Sequence, residues 1–155
     1  MQTVQCDKSM KFYLEKFFKN NNVIADIGIL SPSPANIKIL FDTKELLTPG
    51  IMLSDYLVVN SDDKELICSI NGTRTNVISC GMSTRSTVTL SSIEETSCVF
   101  CLQRLIKNLN GNIISPFEIP LMFGEYKIDW VSAIMIVTTA IMCGLEINKI
   151  KKIEI

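Results

Sequence analysis

Apolar residues recur at helical spacing near the start of the chain, where Met10, Tyr13, Leu14, Phe17 and Phe18 lie among lysines between Lys8 and Asn20. This pattern predicts an amphipathic helix, stopped by Asn20-Asn21-Asn22, whose side chains favour turns. Val23 to Leu30 reads as a strand. Ser31-Pro32-Ser33-Pro34 breaks it, because two prolines exclude a helix interior or a central strand. Asn36 to Phe41 fits a short strand or the first turn of a helix, and Thr43 to Leu47 predicts a short helix closed by Pro49-Gly50. Tyr56-Leu-Val-Val59 is an unbroken apolar run, the pattern of a strand buried on both faces of a parallel sheet. It ends in Asn60-Ser61-Asp62-Asp63, side chains suited to accept hydrogen bonds from the free amides of a following helix. That helix is expected to end near Ile70, at Asn71-Gly72, with a further strand from Asn76 to Cys80. Strand, helix and strand over this span make a βαβ unit, hence parallel strands.

The second half has a different rhythm. Ser86 to Ile93 alternates Val88 and Leu90 with serine and threonine, as a strand with one wet face does. Cys98 to Ile106 and Asn112 to Met122 flank Lys107-Asn-Leu-Asn-Gly-Asn112, a turn-rich hairpin connection, so these three strands are expected to be antiparallel. Trp130 to Gly144 is apolar almost throughout. At about fifteen residues it falls short of the roughly twenty that span a bilayer. Thr138 and Thr139 interrupt it, and it reads as a buried core helix stopped by Gly144. A short basic tail, Lys149-Ile-Lys-Lys-Ile153, follows. The expectation is one α/β domain over residues 1–155: a three-layer βαβ parallel sheet with an antiparallel extension.

Composition narrows the chemistry. The 155 residues are 47% hydrophobic and 20% charged, with net charge −1, so no basic footprint marks nucleic acid or an anionic membrane as a partner. The six cysteines sit mostly inside apolar runs. No signal-peptide pattern precedes them, which points to core thiols in a reducing, cytoplasmic compartment. There is no histidine, which excludes Ser-His, Cys-His and His-metal mechanisms. Cys98-Val-Phe-Cys101 has no second pair to complete a zinc site, and on a strand the two thiols point to opposite faces. Glu94-Glu95 reads as a solvated pair. Asn60-Ser61-Asp62-Asp63 reads as a helix cap ahead of an acidic metal cluster. No Gly-Lys pair and no Gly-x-Gly occurs, so neither a P-loop nor a dinucleotide fingerprint is present.

The order of segments resembles the central, ATP-binding domain of the Mur ligases, ATP-dependent enzymes that join amino acids to a carboxylate in murein synthesis. Asp26-Ile-Gly-Ile-Leu30 followed by Pro34-Ala35-Asn36-Ile37 is similar to the family's Ile-Gly-Val-Ile-Thr-Asn strand and Pro-Ala-His-Leu loop. Tyr56-Leu-Val-Val-Asn-Ser-Asp-Asp63 resembles its Leu-Val-Val-Asn-Ala-Asp-Asp turn, and Val77-Ile-Ser-Cys-Gly81 its Val-Ile-Thr-Tyr-Gly. Thr89 to Glu94 and Phe117-Glu-Ile-Pro-Leu121 match the strands before a helix that here begins Gly124-Glu-Tyr-Lys-Ile-Asp-Trp-Val-Ser-Ala-Ile134. Gly144-Leu-Glu-Ile-Asn-Lys-Ile150 matches the family's ending. The likeness spans residues 23–153.

The departures bear on function. The family's P-loop strand and its Gly-Lys-Thr are missing. The histidine of the Pro-Ala-His loop falls at Asn36, and its base-holding His-Asn-x-x-Asn run falls at Tyr126, Lys127 and Trp130. The segment that supplies a lysine is shortened, and the family's flanking domains are absent. The resemblance therefore implies a degenerate domain without ligase activity of its own. It would have no catalytic residue, no metal site and no cofactor, and would act as a binding or scaffold module with a protein partner or a second copy. One alternative is part of a split ATP-dependent amide ligase, where a partner chain completes an ATP/Mg²⁺ site. That reading expects an exposed apolar patch, for which the Met10–Phe18 helix is the candidate, against ordinary core packing. Another is a small α/β ligand-binding protein with Asn36, Asn60, Asp62 and Asp63 lining a cleft beyond the carboxyl ends of the parallel strands.

Overall fold

The computed structural model describes residues 1–47, 50–124 and 128–155. The expected stop at Pro49 and the resemblance positions Tyr126 and Lys127 lie outside them. Strand β1 (Thr3–Cys6) leads directly into helix α1 (Lys8–Asn20), and the chain returns as β2 (Asp26–Ile29) and β3 (Ala35–Leu40). A 3-10 helix (Thr43–Leu47) precedes β4 (Ser54–Asn60), α2 (Lys64–Ile70) and β5 (Asn76–Cys80). Then come β6 (Val88–Ser91), β7 (Ser97–Leu102), the short pair β8 (Ile106–Lys107) and β9 (Ile113–Ile114), and β10 (Phe117–Met122). Helix α3 (Trp130–Met142), a 3-10 turn (Ile147–Lys149) and β11 (Ile153–Glu154) complete the chain.

Among the described residues, nine strands form one sheet in the order β2-β1-β3-β4-β5-β6-β7-β10-β11. β2 through β6 are mutually parallel, and β7 runs antiparallel to both β6 and β10. The fold is α/β, with a mostly parallel sheet, an antiparallel extension and helices on both faces. The order 2-1-3 reverses direction between β1 and β3. In open sheets of this kind such a reversal leaves a crevice beyond the strands' carboxyl ends.

Alternation along each strand divides the core in two. Val4, Cys6, Ile37, Ile39, Val58, Ile78, Phe100 and Leu121 face α1 and α3. Leu40, Leu57 and Val59 face α2, whose Leu66 and Ile70 close a smaller second core. The expectation that Tyr56–Val59 is buried on both faces is met, with Val58 on one side and Leu57 and Val59 on the other. α3 is apolar all round and buried from Ser132 to Met142, as such a helix requires in water. Its two threonines satisfy their hydroxyls on the preceding turn, Thr138 on the Ile134 carbonyl at 2.6 Å and Thr139 on that of Met135 at 2.8 Å. Gly144 ends the helix at φ +103°, a left-handed conformation glycine adopts without a Cβ penalty. Among the described residues no helix is long and apolar enough to cross a membrane.

Helix α1 belongs to the core. Met10, Leu14, Phe17 and Phe18 are buried against the sheet, each contributing roughly 1.5–3 kcal/mol of apolar burial. Of the four aromatic residues on this helix, Phe12 alone is exposed, Tyr13 is half-buried and Phe17 and Phe18 are core, so most of the expected apolar patch packs inside. Two strands were not foreseen: β1, which inserts between β2 and β3, and β11, which turns the basic tail into a parallel edge against β10. β2 is also shorter than the Val23–Leu30 expectation.

Between β2 and β3 the backbone makes an unusual return. The registers put Val4 level with both Ile27 and Ile37, so Leu30–Pro34 must run back along the strands while crossing β1. This strap lies on the α2 side of the sheet, where its backbone polar groups need partners. Gln5 and Lys38, neighbours in the β1–β3 ladder, supply them. The Gln5 amide accepts from Ser31 N and donates to the Ser31 and Ser33 hydroxyls. Lys38 is fully buried, and its ammonium donates to the carbonyls of Ser31 and Gly50, each at 3.0 Å.

Candidate functional site

The carboxyl ends of the parallel strands converge on Asp7, Phe41, Asn60–Asp63 and Gly81. At the β1/β3 switch a crevice of about 200 Å³ opens between the first turns of α1 and α3, lined by Asp7, Ser9, Tyr13, Phe41, Asp129 and Ser132 among others. Asp7 caps α1: one carboxylate oxygen accepts the Met10 amide at 2.8 Å, the other the Ser9 hydroxyl at 2.6 Å. Asp129 caps α3 through the Ser132 amide at 2.9 Å. Each carboxylate more than offsets the partial positive charge of its helix N-terminus, roughly half an elementary charge. The crevice is thus electronegative, and its walls carry the rings of Tyr13 and Phe41. Beside it, the Glu45 carboxylate accepts from the Phe41 and Asp42 amides. Burial pushes its pKa up to about 7, with the negative charges of Asp7 and Asp42 adding to the rise against those hydrogen bonds.

Asn60, Asp62 and Asp63 stand together at the end of β4, and each is engaged by the chain itself. Asn60 donates to the Phe41 carbonyl at 3.0 Å and accepts the Asp62 amide at 3.0 Å. Asp62 accepts the Met82 amide at 3.0 Å and 3.1 Å through its two oxygens. That clasp needs Gly81, because a Cβ there would lie 2.4 Å from the Ser61 hydroxyl and 2.6 Å from Asp62 Oδ1. Asp63 caps α2 on the Leu66 amide at 3.0 Å and also takes the Thr43 amide and hydroxyl. These hydrogen bonds, that from Leu66 first, hold its carboxyl below the usual range. The three residues tie the β3, β4 and β5 turns to one another.

Asn36 lies elsewhere. It sits at the amino end of β3, where it accepts from the Thr3 amide at 2.9 Å and donates to Asp55 at 2.8 Å. The structure does not bring it to the carboxyl-end cleft with Asn60, Asp62 and Asp63.

Cys98 faces the α3 core, while Cys101 faces the other way, within 3.4 Å of the Ser91 hydroxyl and 3.5 Å of Glu118. Burial raises both thiols, Cys98 to about 11. All six cysteines are free. Among the described residues no group of three or more His, Cys, Asp or Glu side chains is placed to hold a metal ion.

Asp7 and Asp129, which shape the crevice, were not singled out from the sequence. The available signal was an aspartate three residues before an amide it could cap, Asp7 before Met10 and Asp129 before Ser132, each opening an apolar helical run. No protein-family model matches the chain, and no curated protein matches it.

Proposed function

We propose that the chain is a non-catalytic binding or scaffold module, built on a Mur-ligase-like frame, that does not use ATP by itself. The observation carrying this reading is the β1–α1 junction. A P-loop places a glycine-rich turn between a strand and a helix so that free amides cradle phosphates. Here the strand passes to the helix through Asp7 alone, and Asp7 takes the Met10 amide for itself. Asp63 and Asp129 do the same on α2 and α3. A phosphate at any of these helix starts meets a carboxylate, and two unit charges roughly 4 Å apart repel by about 4 kcal/mol near a protein surface.

The split-ligase alternative has less support. β1 and α1 fill the first strand–helix position of the sheet, and the apolar face of α1 is buried rather than left for a partner. On our reading the working form is a complex with a protein partner or a second copy, and the free thiols fit a reducing cytoplasm. Light scattering of the purified chain, followed by affinity capture and mass spectrometry, tests the partner.

A thermal-shift titration with Mg²⁺ and ATP tests the core of the proposal. A ligand at a hundred times its dissociation constant stabilises by about 2.7 kcal/mol, or about 5–11 °C for a domain of this size. We expect no saturable shift. A saturable rise of that size would sink the reading.

A further inference from the structure

We propose that a groove across β6, β7 and β10, on the α2 side of the sheet, binds a small ligand carrying an alkylguanidinium head. The proposal goes beyond the scaffold reading and needs neither a protein partner nor the Mur-ligase resemblance. On this face α2 packs on β3 and β4, against Leu40, Leu57 and Val59. Further along the sheet a groove of about 520 Å³ opens over β6, β7 and β10, walled in part by Met82 and Pro116. The strand register lays Thr89, Cys101 and Glu118 side by side across it. Alternation turns all three to this face, because their chain neighbours Val88, Leu90, Phe100, Leu102 and Ile119 point into the core under α1 and α3.

Thr89 is the observation that points to a ligand. It is 8% exposed and lines the groove, and its hydroxyl oxygen has no hydrogen-bond partner among the described residues. A hydroxyl buried to this degree without a partner is costly, and a bound N–H would satisfy it. Opposite Thr89, the Cys101 sulfur lies 3.4 Å from the Ser91 hydroxyl and donates to Glu118 at 3.5 Å. Acceptors from β6 and from β10 thus converge on the two sides of one thiol. Among the described residues no lysine or arginine lines the groove, and Arg85 and Arg104, the nearest cations in sequence, are exposed and form no salt bridge with Glu118. The site is acceptor-rich and carries an unneutralised carboxylate. A compact ammonium reaches one wall at a time. A planar guanidinium pairs with the carboxylate through one edge and turns its remaining N–H groups towards Thr89 and Ser91. Its weakly hydrated faces suit a floor of sulfur between the apolar walls of Met82 and Pro116. An anionic ligand would be repelled by Glu118.

The test is an NMR titration of the intact chain with n-butylguanidinium chloride, kept well below denaturing concentrations. Sodium chloride, n-butylammonium chloride and sodium butyrate at matched ionic strength serve as controls. The expected result is a saturable set of amide shifts confined to β6, β7, β10 and the turn after β5, with n-butylammonium binding more weakly. Glu118 is exposed, so Glu118→Gln should leave the fold intact, and Thr89→Val keeps the shape of the buried side chain. Each variant should bind at least about tenfold more weakly, the loss expected for one hydrogen bond to a charged group. A blocked arginine peptide separates the two sources of the head group: weaker binding than n-butylguanidinium supports a small ligand, and tighter binding overturns that part in favour of a protein's arginine. Absence of saturation, shifts centred elsewhere, equal affinity for n-butylammonium, or unchanged affinity in either variant would overturn the proposal as a whole. The ATP titration reads the scaffold proposal separately, so either can fail alone.

Discussion

Replacing Lys38 with methionine should alter how stability depends on pH. Lys38 is fully buried in β3, and its ammonium is held by two carbonyls, those of Ser31 and Gly50. Burial lowers its pKa from the ordinary 10.5, and no neighbouring carboxylate opposes that shift. The folded chain therefore holds this proton more weakly than the unfolded chain does. Below the folded pKa both states carry the proton and the cost of burying the charge is present in full. As pH rises through the folded pKa towards 10.5, only the unfolded state keeps the proton, and stability increases by up to about 1.36 kcal/mol per pH unit for one group. Above 10.5 the gain is complete. Methionine has a similar length and no titration, but it leaves the Ser31 carbonyl of the strap without a donor, at about 1–3 kcal/mol, while the Gly50 carbonyl keeps the Leu53 amide at 2.9 Å. Near neutrality this loss is opposed by release from the desolvation cost, several kcal/mol for a buried ion, so the two proteins should differ little. Towards pH 10.5 the wild type should pull ahead. Urea unfolding under reducing conditions from pH 7 to 10.5 measures both, and subtracting the variant removes every other titrating group. A stability difference that stays flat, or shrinks, as pH rises would refute the reasoning.

Two further outcomes follow from the same packing. Gly50→Ala should destabilise by at least about 1–2 kcal/mol in urea unfolding, because φ is +69° and the new Cβ would sit 2.8 Å from the Pro32 carbonyl oxygen; equal stability would mean that the strap yields freely. Of the six cysteines, Cys68 alone is exposed, so mass spectrometry of the native chain after brief iodoacetamide treatment should find Cys68 modified first, with Cys98 and Cys101 protected by burial.

The parts of the fold visible in sequence are those whose local pattern and tertiary role agree. Tyr56–Val59 is apolar at every position because both faces are covered, and Asp63 follows where α2 needs a cap. α3 was visible for the same reason, an apolar run too short for a bilayer and closed by Gly144. β1 carries no such signal: Thr3, Val4, Gln5 and Cys6 become a strand because β2 and β3 pair with them on either side. The candidate site divided along the same line. Asn60, Asp62 and Asp63 could be placed at a carboxyl end because the strand before them was unmistakable. Asn36 could not, since its segment fitted a strand or a helix start, and only the pairing of β3 with β1 and β4 fixes which end of the sheet it occupies. If Leu30–Pro34 had been an ordinary loop, Asn36 would have stayed near the carboxyl edge. Instead the strap carries the chain back over β1, and that detour accounts for two polar residues in the second core. Gln5 and Lys38 look like misplaced surface side chains in the sequence. In the fold they are the partners that a backbone crossing a sheet face must have.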